Sequence, residues 1–288
     1  MSDNHLIENY ENNLLATAKA NVTEGNEFKT KGMLNKSISA YKKAIAIKPD
    51  YFQALVSLGE LHQQQKKWRE AAKYYRQAVG LQPNRHGIFI KLARVLKQQN
   101  KIYGAIAAYV EAIELKPDLP ATIYRDYGDL LLQVNGRNPD AIAAYHKAAE
   151  IKSDWGAGFY NKFANLLEKQ KKLAEATTYY LKALSLQGDN PRQYFMVANI
   201  YFKQGLLKEA TGNYQRALEL DPNFSNVYKK LGDLLREKSQ LDDATKCYQK
   251  AIEIRPDFKV AYRSLGELLM ERGKQSEAEL CFQKASLV

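Results

Sequence analysis

Residues 225–258 read SNVYKKLGDLLREKSQLDDATKCYQKAIEIRPDF. Within this stretch a small residue, Gly232, is followed by Ala244, Tyr248 and Ala251, and then by Pro256-Asp257. The residues between these marks are mostly Leu, Lys, Glu, Gln and Ala, which are good helix formers. Proline cannot continue a helix, so Pro256 ends the second of two helices and turns the chain sharply. One such helix pair cannot bury its apolar face alone and needs neighbours.

The neighbours are present in both directions. Pro49, Pro83 and Pro117 are spaced by 34 residues, as are Pro222 and Pro256, and Ser153 and Gly188 fill the two missing marks. Five residues before each mark stands an alanine: Ala44, Ala78, Ala112, Ala148, Ala183, Ala217 and Ala251, with Ala285 in register. Three residues earlier stands an aromatic: Tyr41, Tyr75, Tyr109, Tyr145, Tyr180, Tyr214, Tyr248 and Phe282. A small residue recurs in each first helix at Gly25, Gly59, Ala93, Gly128, Ala164, Ala198, Gly232 and Gly266. Small residues let two helices approach closely, and the aromatic is expected to fill the gap between one unit and the next.

A helical unit with this period and these marks resembles the tetratricopeptide repeat. The register of small, small, aromatic and small residues fits it better than the pentatricopeptide array, whose period is one residue longer. The resemblance implies an all-α, right-handed superhelix (α-solenoid) of about eight helix-turn-helix repeats. The repeats span 18–51, 52–85, 86–119, 120–155, 156–190, 191–224, 225–258 and 259–288, with an N-terminal capping helical segment at 1–17. In that segment Leu6, Ile7, Tyr10, Leu14, Leu15, Ala18 and Val22 recur at helical spacing, so an extended or broken helix is expected over residues 3–31.

Composition narrows the class. The 288 residues are 45% hydrophobic and 26% charged, with a net charge of +11. This suits a packed, soluble chain. No apolar run reaches the roughly 20 residues of a membrane span, and no secretory signal is visible. A cytoplasmic location and no membrane partner are therefore expected. Two cysteines and four histidines rule out a disulfide scaffold or a zinc ribbon. Cys247 and Cys281 fill the same slot of neighbouring units and read as unpaired thiols. His5, His62, His86 and His146 are scattered, with His62 in a core slot, and no catalytic constellation, metal or cofactor motif is found. The expected role is not enzymatic.

Irregular places stand out against the repeat. The fourth unit carries an extra residue and a widened turn, Asn135-Gly136-Arg137-Asn138-Pro139-Asp140, where Pro139 suits the start of a helix. A second irregular joint lies near Trp155-Gly156-Ala157-Gly158. These joints read either as drift in loop length or as a hinge. At the other end, Ala285-Ser286-Leu287-Val288 lacks a solvating helix after it. This uncapped repeat is expected to self-associate or to be covered by downstream sequence.

The resemblance also implies that first helices line a concave face. Cations outnumber anions at the places it assigns to that face, among them Lys91, Arg94, Lys97, Arg192, Lys229 and Lys230. A concave face of one sign focuses field, so an acidic protein or peptide partner is expected. Unit six places Phe195, Asn199 and Phe202 there, with Met196 beside them. The expected peptide-binding residues are Asn161, Asn165, Arg192, Phe195, Asn199, Phe202, Lys229 and Lys230. Asparagines on this face are similar to those of O-linked N-acetylglucosamine transferase, whose amides hold an extended backbone. A carboxylate clamp for chaperone C-termini is incomplete, because Arg125, Lys229 and Arg263 are each followed four residues later by an acid. Two alternatives stay open: a substrate-recruiting N-terminal region of a larger enzyme such as a glycosyltransferase, and nucleic-acid binding, which the interleaved acids disfavour.

Overall fold

The computed structural model describes residues 2–287, and the side chains of residues 10–287. Among these there are sixteen helices and no strand, so the chain is all-α. Expectations that fall on the side chains of His5, Leu6 and Ile7, and on Val288, lie outside the described residues.

The chain divides into two compact units, 1–152 and 153–288. The first holds α1 (Ser2–Thr30), α2 (Leu34–Ile47), α3 (Phe52–Gln64), α4 (Trp68–Leu81), α5 (His86–Gln98), α6 (Ile102–Leu115), α7 (Ala121–Leu131) and α8 (Asn138–Ile151). The second holds α9 (Ala157–Lys169), α10 (Leu173–Gln187), α11 (Pro191–Lys203), α12 (Leu207–Leu220), α13 (Ser225–Glu237), α14 (Leu241–Ile254), α15 (Lys259–Glu271) and α16 (Gln275–Leu287). Within each unit every helix packs on the next in sequence, which makes a stack of helix pairs. The division falls at the joint before Trp155, where the repeat marks lose their spacing. The N-terminal segment and the first helix of repeat 1 are one unbroken helix, α1.

The repeated aromatic explains the packing. Tyr41, Tyr75, Tyr109, Tyr145, Tyr214 and Tyr248 are fully buried. Tyr41 clusters with Ala54, Leu58 and Leu61 of α3, Tyr214 with Val227 and Leu234 of α13, and Tyr248 with Leu265, Leu268 and Leu269 of α15, so each of these rings lies between two repeats. Its other contact, which the sequence reading did not foresee, is with the small residue of its own repeat. A Cβ added at Gly59 would lie 2.4 Å from the Tyr75 ring, and one at Gly232 would lie 2.7 Å from Tyr248. The glycine lets the ring lie flat against the first helix.

The turns inside the repeats end in Schellman motifs, in which one residue takes left-handed backbone angles. Gly32 (φ +70°), Gly205 (φ +76°) and Gly273 (φ +72°) do so without strain. Lys66, Asn100, Lys171 and Ser239 hold the same conformation with a side chain, at φ of 58–60°. In repeat 2 the motif closes through the Lys67 N–H, which donates to the His62 carbonyl at 2.8 Å. In repeat 4 the wider turn shortens α7 to 11 residues, and Pro139 sits in the first turn of α8.

Candidate peptide-binding face

The polar tip of each buried tyrosine needs a partner. It finds one on the first helix of its own repeat. Tyr41 donates to Asn26 Oδ1 at 2.6 Å, Tyr75 to Gln63 Oε1 at 2.9 Å, and Tyr180 to Glu168 Oε2 at 2.7 Å. Tyr214 donates to Asn199 Oδ1 at 2.8 Å and Tyr248 to Asp233 Oδ1 at 2.9 Å, while Tyr145 bonds Asp129. Burial, then the carboxylate, pushes Tyr180 and Tyr248 well above the usual phenol range, so they stay protonated as donors. Tyr109 is the exception: the group beside its hydroxyl is the Arg94 guanidinium, and burial pushes the Tyr109 pKa up to about 12.

These bonds orient the groups that face outward. Asn199 spends its carbonyl oxygen on Tyr214, so its amide N–H groups remain to donate. Beside it is a cavity of about 360 Å³ in the second unit, lined by Asn165, Asn199, Met196, Phe202, Lys203 and Lys230. Glu168 and the Tyr180 edge complete the wall, and Glu168 is ion-paired with Lys203. The cavity thus combines amides, an apolar ring with a thioether, and two ammonium groups.

Four of the eight residues expected from sequence line this cavity, namely Asn165, Asn199, Phe202 and Lys230. The other four lie elsewhere. The Phe195 ring, expected in the groove, is half-buried with its centroid 5.2 Å from Phe224 and 6.1 Å from Tyr214. It belongs to the core cluster of repeats 6 and 7, because the neighbouring aromatic gives it a dry surface to pack on. Lys229 is tied to Asp233 at 2.8 Å with little exposure, as the one-turn spacing implied. Arg192 is exposed at the start of α11, where its backbone N–H donates to the Asn190 cap at 3.0 Å. Asn161 is half-buried, and its Oδ1 has no partner among the described residues.

Several cations of this face are ion-paired from repeat to repeat. Glu60 takes Lys29 of the preceding repeat at 2.9 Å and also Lys91 of the following one. Burial alone would raise the Glu60 pKa, but the two ammonium groups hold it below the usual carboxylate range. Arg236 bonds Glu267 at 3.1 Å and also Glu271, both from the next repeat. Sequence reasoning summed these charges by place and missed the pairing. The signal was available, since the partners are 31 or 35 residues apart. Of the one-turn pairs expected for Arg125 and Arg263, the structure shows Arg125 bonded to Asp126, and Glu267 bonded to Arg236.

Other chemistry is sparse. Cys247 and Cys281 are free thiols, and burial pushes the Cys247 pKa up to about 11. His62 is buried in the core slot expected for it and stacks on Tyr74 at 5.5 Å. No group of three or more His, Cys, Asp or Glu among the described residues is placed to hold a metal ion. No described helix is long and apolar enough to cross a membrane.

Comparison with known proteins agrees with this architecture. Models of the tetratricopeptide repeat match residues 52–85, 90–156 and 157–190, and models described as TPR repeat match 25–66, 198–235 and 232–273. No curated protein sequence matches the chain. Among solved structures, YrrB, described as a TPR protein with an unusual peptide-binding site, is 23% identical with a TM-score of 0.56. That alignment covers 67% of this chain and 98% of YrrB. The C-terminal part of a TPR repeat-containing protein from Cytophaga hutchinsonii is 15% identical with a TM-score of 0.58, covering 79% of this chain and 92% of the other. A tetratricopeptide repeat protein from Parabacteroides merdae is 18% identical with a TM-score of 0.52, covering 88% and 99%. Arrays of such repeats serve as protein–protein interaction scaffolds. Helix pairs repeated along the chain, a ring against a glycine in the core, and family models across most of the sequence lead to one conclusion: the chain belongs to the tetratricopeptide repeat family.

Proposed function

We propose that this scaffold binds an extended peptide across the first helices of repeats 5 to 7. The observation that carries the reading is the Asn199 amide, held by Tyr214 with its N–H groups outward, beside Phe202 in a cavity that Asn165 also lines. An extended backbone presents a carbonyl at each residue, which such an amide bonds, while the Phe202 ring and Met196 take an apolar side chain. Asn161, Arg192 and Lys229 stand at the margin of this contact, and Phe195 supports it from the core. A partner captured by the intact chain should lose at least about tenfold in affinity against Phe202→Ala and Asn199→Ala, roughly the 1.4 kcal/mol step of a tenfold change. Unchanged affinity in both variants, with unchanged melting curves, would remove the site from repeat 6.

A second reading concerns the last repeat. Phe282, on the last described helix, α16, occupies the slot of the buried tyrosines yet is 37% exposed. We propose that this face self-associates. Light scattering should show mass rising with concentration, and Phe282→Gln should abolish the rise. A monomer at every concentration would refute it.

A further inference from the structure

The Phe202 ring is shared by two cavities of the second unit. One, of about 360 Å³, is the amide-lined cavity already described. The other, of about 480 Å³, is lined by Phe202, Asp233, Arg236, Glu237 and Glu271. The two differ in charge. The first holds two ammonium groups, Lys203 and Lys230, against the one carboxylate of Glu168. The second holds three carboxylates against one guanidinium.

The pairing within each cavity sharpens the contrast. Lys230 has only a long contact to Asp233, at 3.5 Å, and its side chain is 38% exposed, so it retains hydrogen-bonding capacity. In the second cavity, Arg236 is saturated by Glu267 and Glu271. Asp233 has spent one oxygen on Tyr248 and the other on Lys229. Glu237 is exposed and has no partner among the described residues. The uncommitted charge is therefore positive in the first cavity, at Lys230, and negative in the second, at Glu237 two turns further along the same helix, α13.

From this we infer that the peptide is patterned in charge rather than uniformly acidic: an apolar residue rests on Phe202, an acidic residue faces Lys203 and Lys230, and a basic residue faces Glu237. The inference rests on the peptide-binding reading and specifies its partner. An extended chain rises about 3.3 Å per residue, and alternate side chains share a face. Residues two before and two after the apolar anchor thus fall about 6–7 Å to either side, which is the scale of one aromatic ring. An acidic neighbour on the Glu237 side would meet like charge, so the site discriminates by repulsion as well as by attraction.

The test is selection of random nine-residue peptides displayed on phage against the intact chain. The expected consensus is an apolar residue with an acid on one side and a base on the other. A synthetic peptide of that consensus should bind Glu237→Lys at least tenfold more weakly than the parent chain. Reversing the peptide's basic residue to Glu should restore the affinity. Glu237 is exposed, so melting curves of the variant should match the parent. A uniformly acidic consensus, or failure of the reversed peptide to rescue Glu237→Lys, overturns the inference while leaving peptide binding intact. No enrichment of any peptide removes the peptide-binding reading, and this inference with it.

Discussion

Repeats 2 and 4 solve the same packing problem with different clearances. In both, a glycine of the first helix faces a fully buried tyrosine of the second. A Cβ added at Gly59 would lie 2.4 Å from the Tyr75 ring, whereas one at Gly128 would lie 3.3 Å from Tyr145. The turns differ as well. Repeat 2 turns tightly through Lys66, while repeat 4 takes the wide path through Gly136 and opens α8 with Pro139. Repeats 3, 5 and 6 keep Ala93, Ala164 and Ala198 in this slot behind tight turns through Asn100, Lys171 and Gly205, so the clearance is set repeat by repeat. Repeat 8 adds a second lesson, because Phe282 rests on Gly266 like its counterparts yet is 37% exposed. The Gly266 contact alone therefore does not bury the ring.

The largest expected effects test the shared part of that comparison. Tyr75→Ala and Tyr145→Ala each leave a ring-sized cavity and should cost about 3–5 kcal/mol in denaturant unfolding. Phe282→Ala should cost less than about 2 kcal/mol, since its ring is only partly withdrawn from water. Equal losses at Tyr75 and Phe282 would show that cover from the next repeat contributes nothing.

Next comes the clearance itself. Gly59→Ala gains helix propensity of about 1 kcal/mol. It must also displace the Tyr75 ring, and overpacking typically costs about 1–3 kcal/mol, so a net loss is expected. Gly128→Ala meets only a tight contact and should be neutral or stabilising by up to about 1 kcal/mol. Two thermal melts decide the matter, and matched losses would show that the clearance does not set the cost.

The smallest effect separates the same two repeats by pH. His62 in repeat 2 stands where repeat 4 has the buried Leu131. Neither ring nitrogen of His62 has a partner among the described residues. Burial, then Lys67 and Lys42, lowers its pKa from 6.5 against the opposing pull of Glu70. The folded state therefore prefers the neutral ring, and the unfolded state binds the proton first. Stability from this site should be complete above pH 6.5 and should decline as pH falls through 6.5 toward the lowered value. His62→Leu should flatten that part of a stability–pH profile, and an unchanged slope would assign it to other groups.

The repeat was legible because its marks are local and periodic. Gly232, Ala244, Tyr248, Ala251 and Pro256 predict the same helix pair wherever they recur. The candidate site was legible only in part. Asn199 and Phe202 could be placed by counting along α11. The packing of Phe195 depends on Phe224, which comes from the start of the next repeat and is invisible to a count within one. The pairing across the face was missed for the same reason, since Glu60 bridges lysines on both sides of its own repeat. The left-handed Lys66 and Lys171 carry no signal at all, because lysine is common in turns and helices alike.

The ladder of ion pairs has a mechanical consequence. Within the first unit, the Glu60 carboxylate bridges lysines of the repeats before and after it. Within the second, Glu168 and Arg236 reach into the repeat that follows. Such links resist stretching and shear of the stack on one face only. Dissolved ions screen exposed charges over about 8 Å at physiological strength and over less in stronger salt. The compliance of each unit is therefore set partly by the medium: a stiffer spring in dilute buffer, a softer one in brine, with the apolar rings of the core carrying the load that remains.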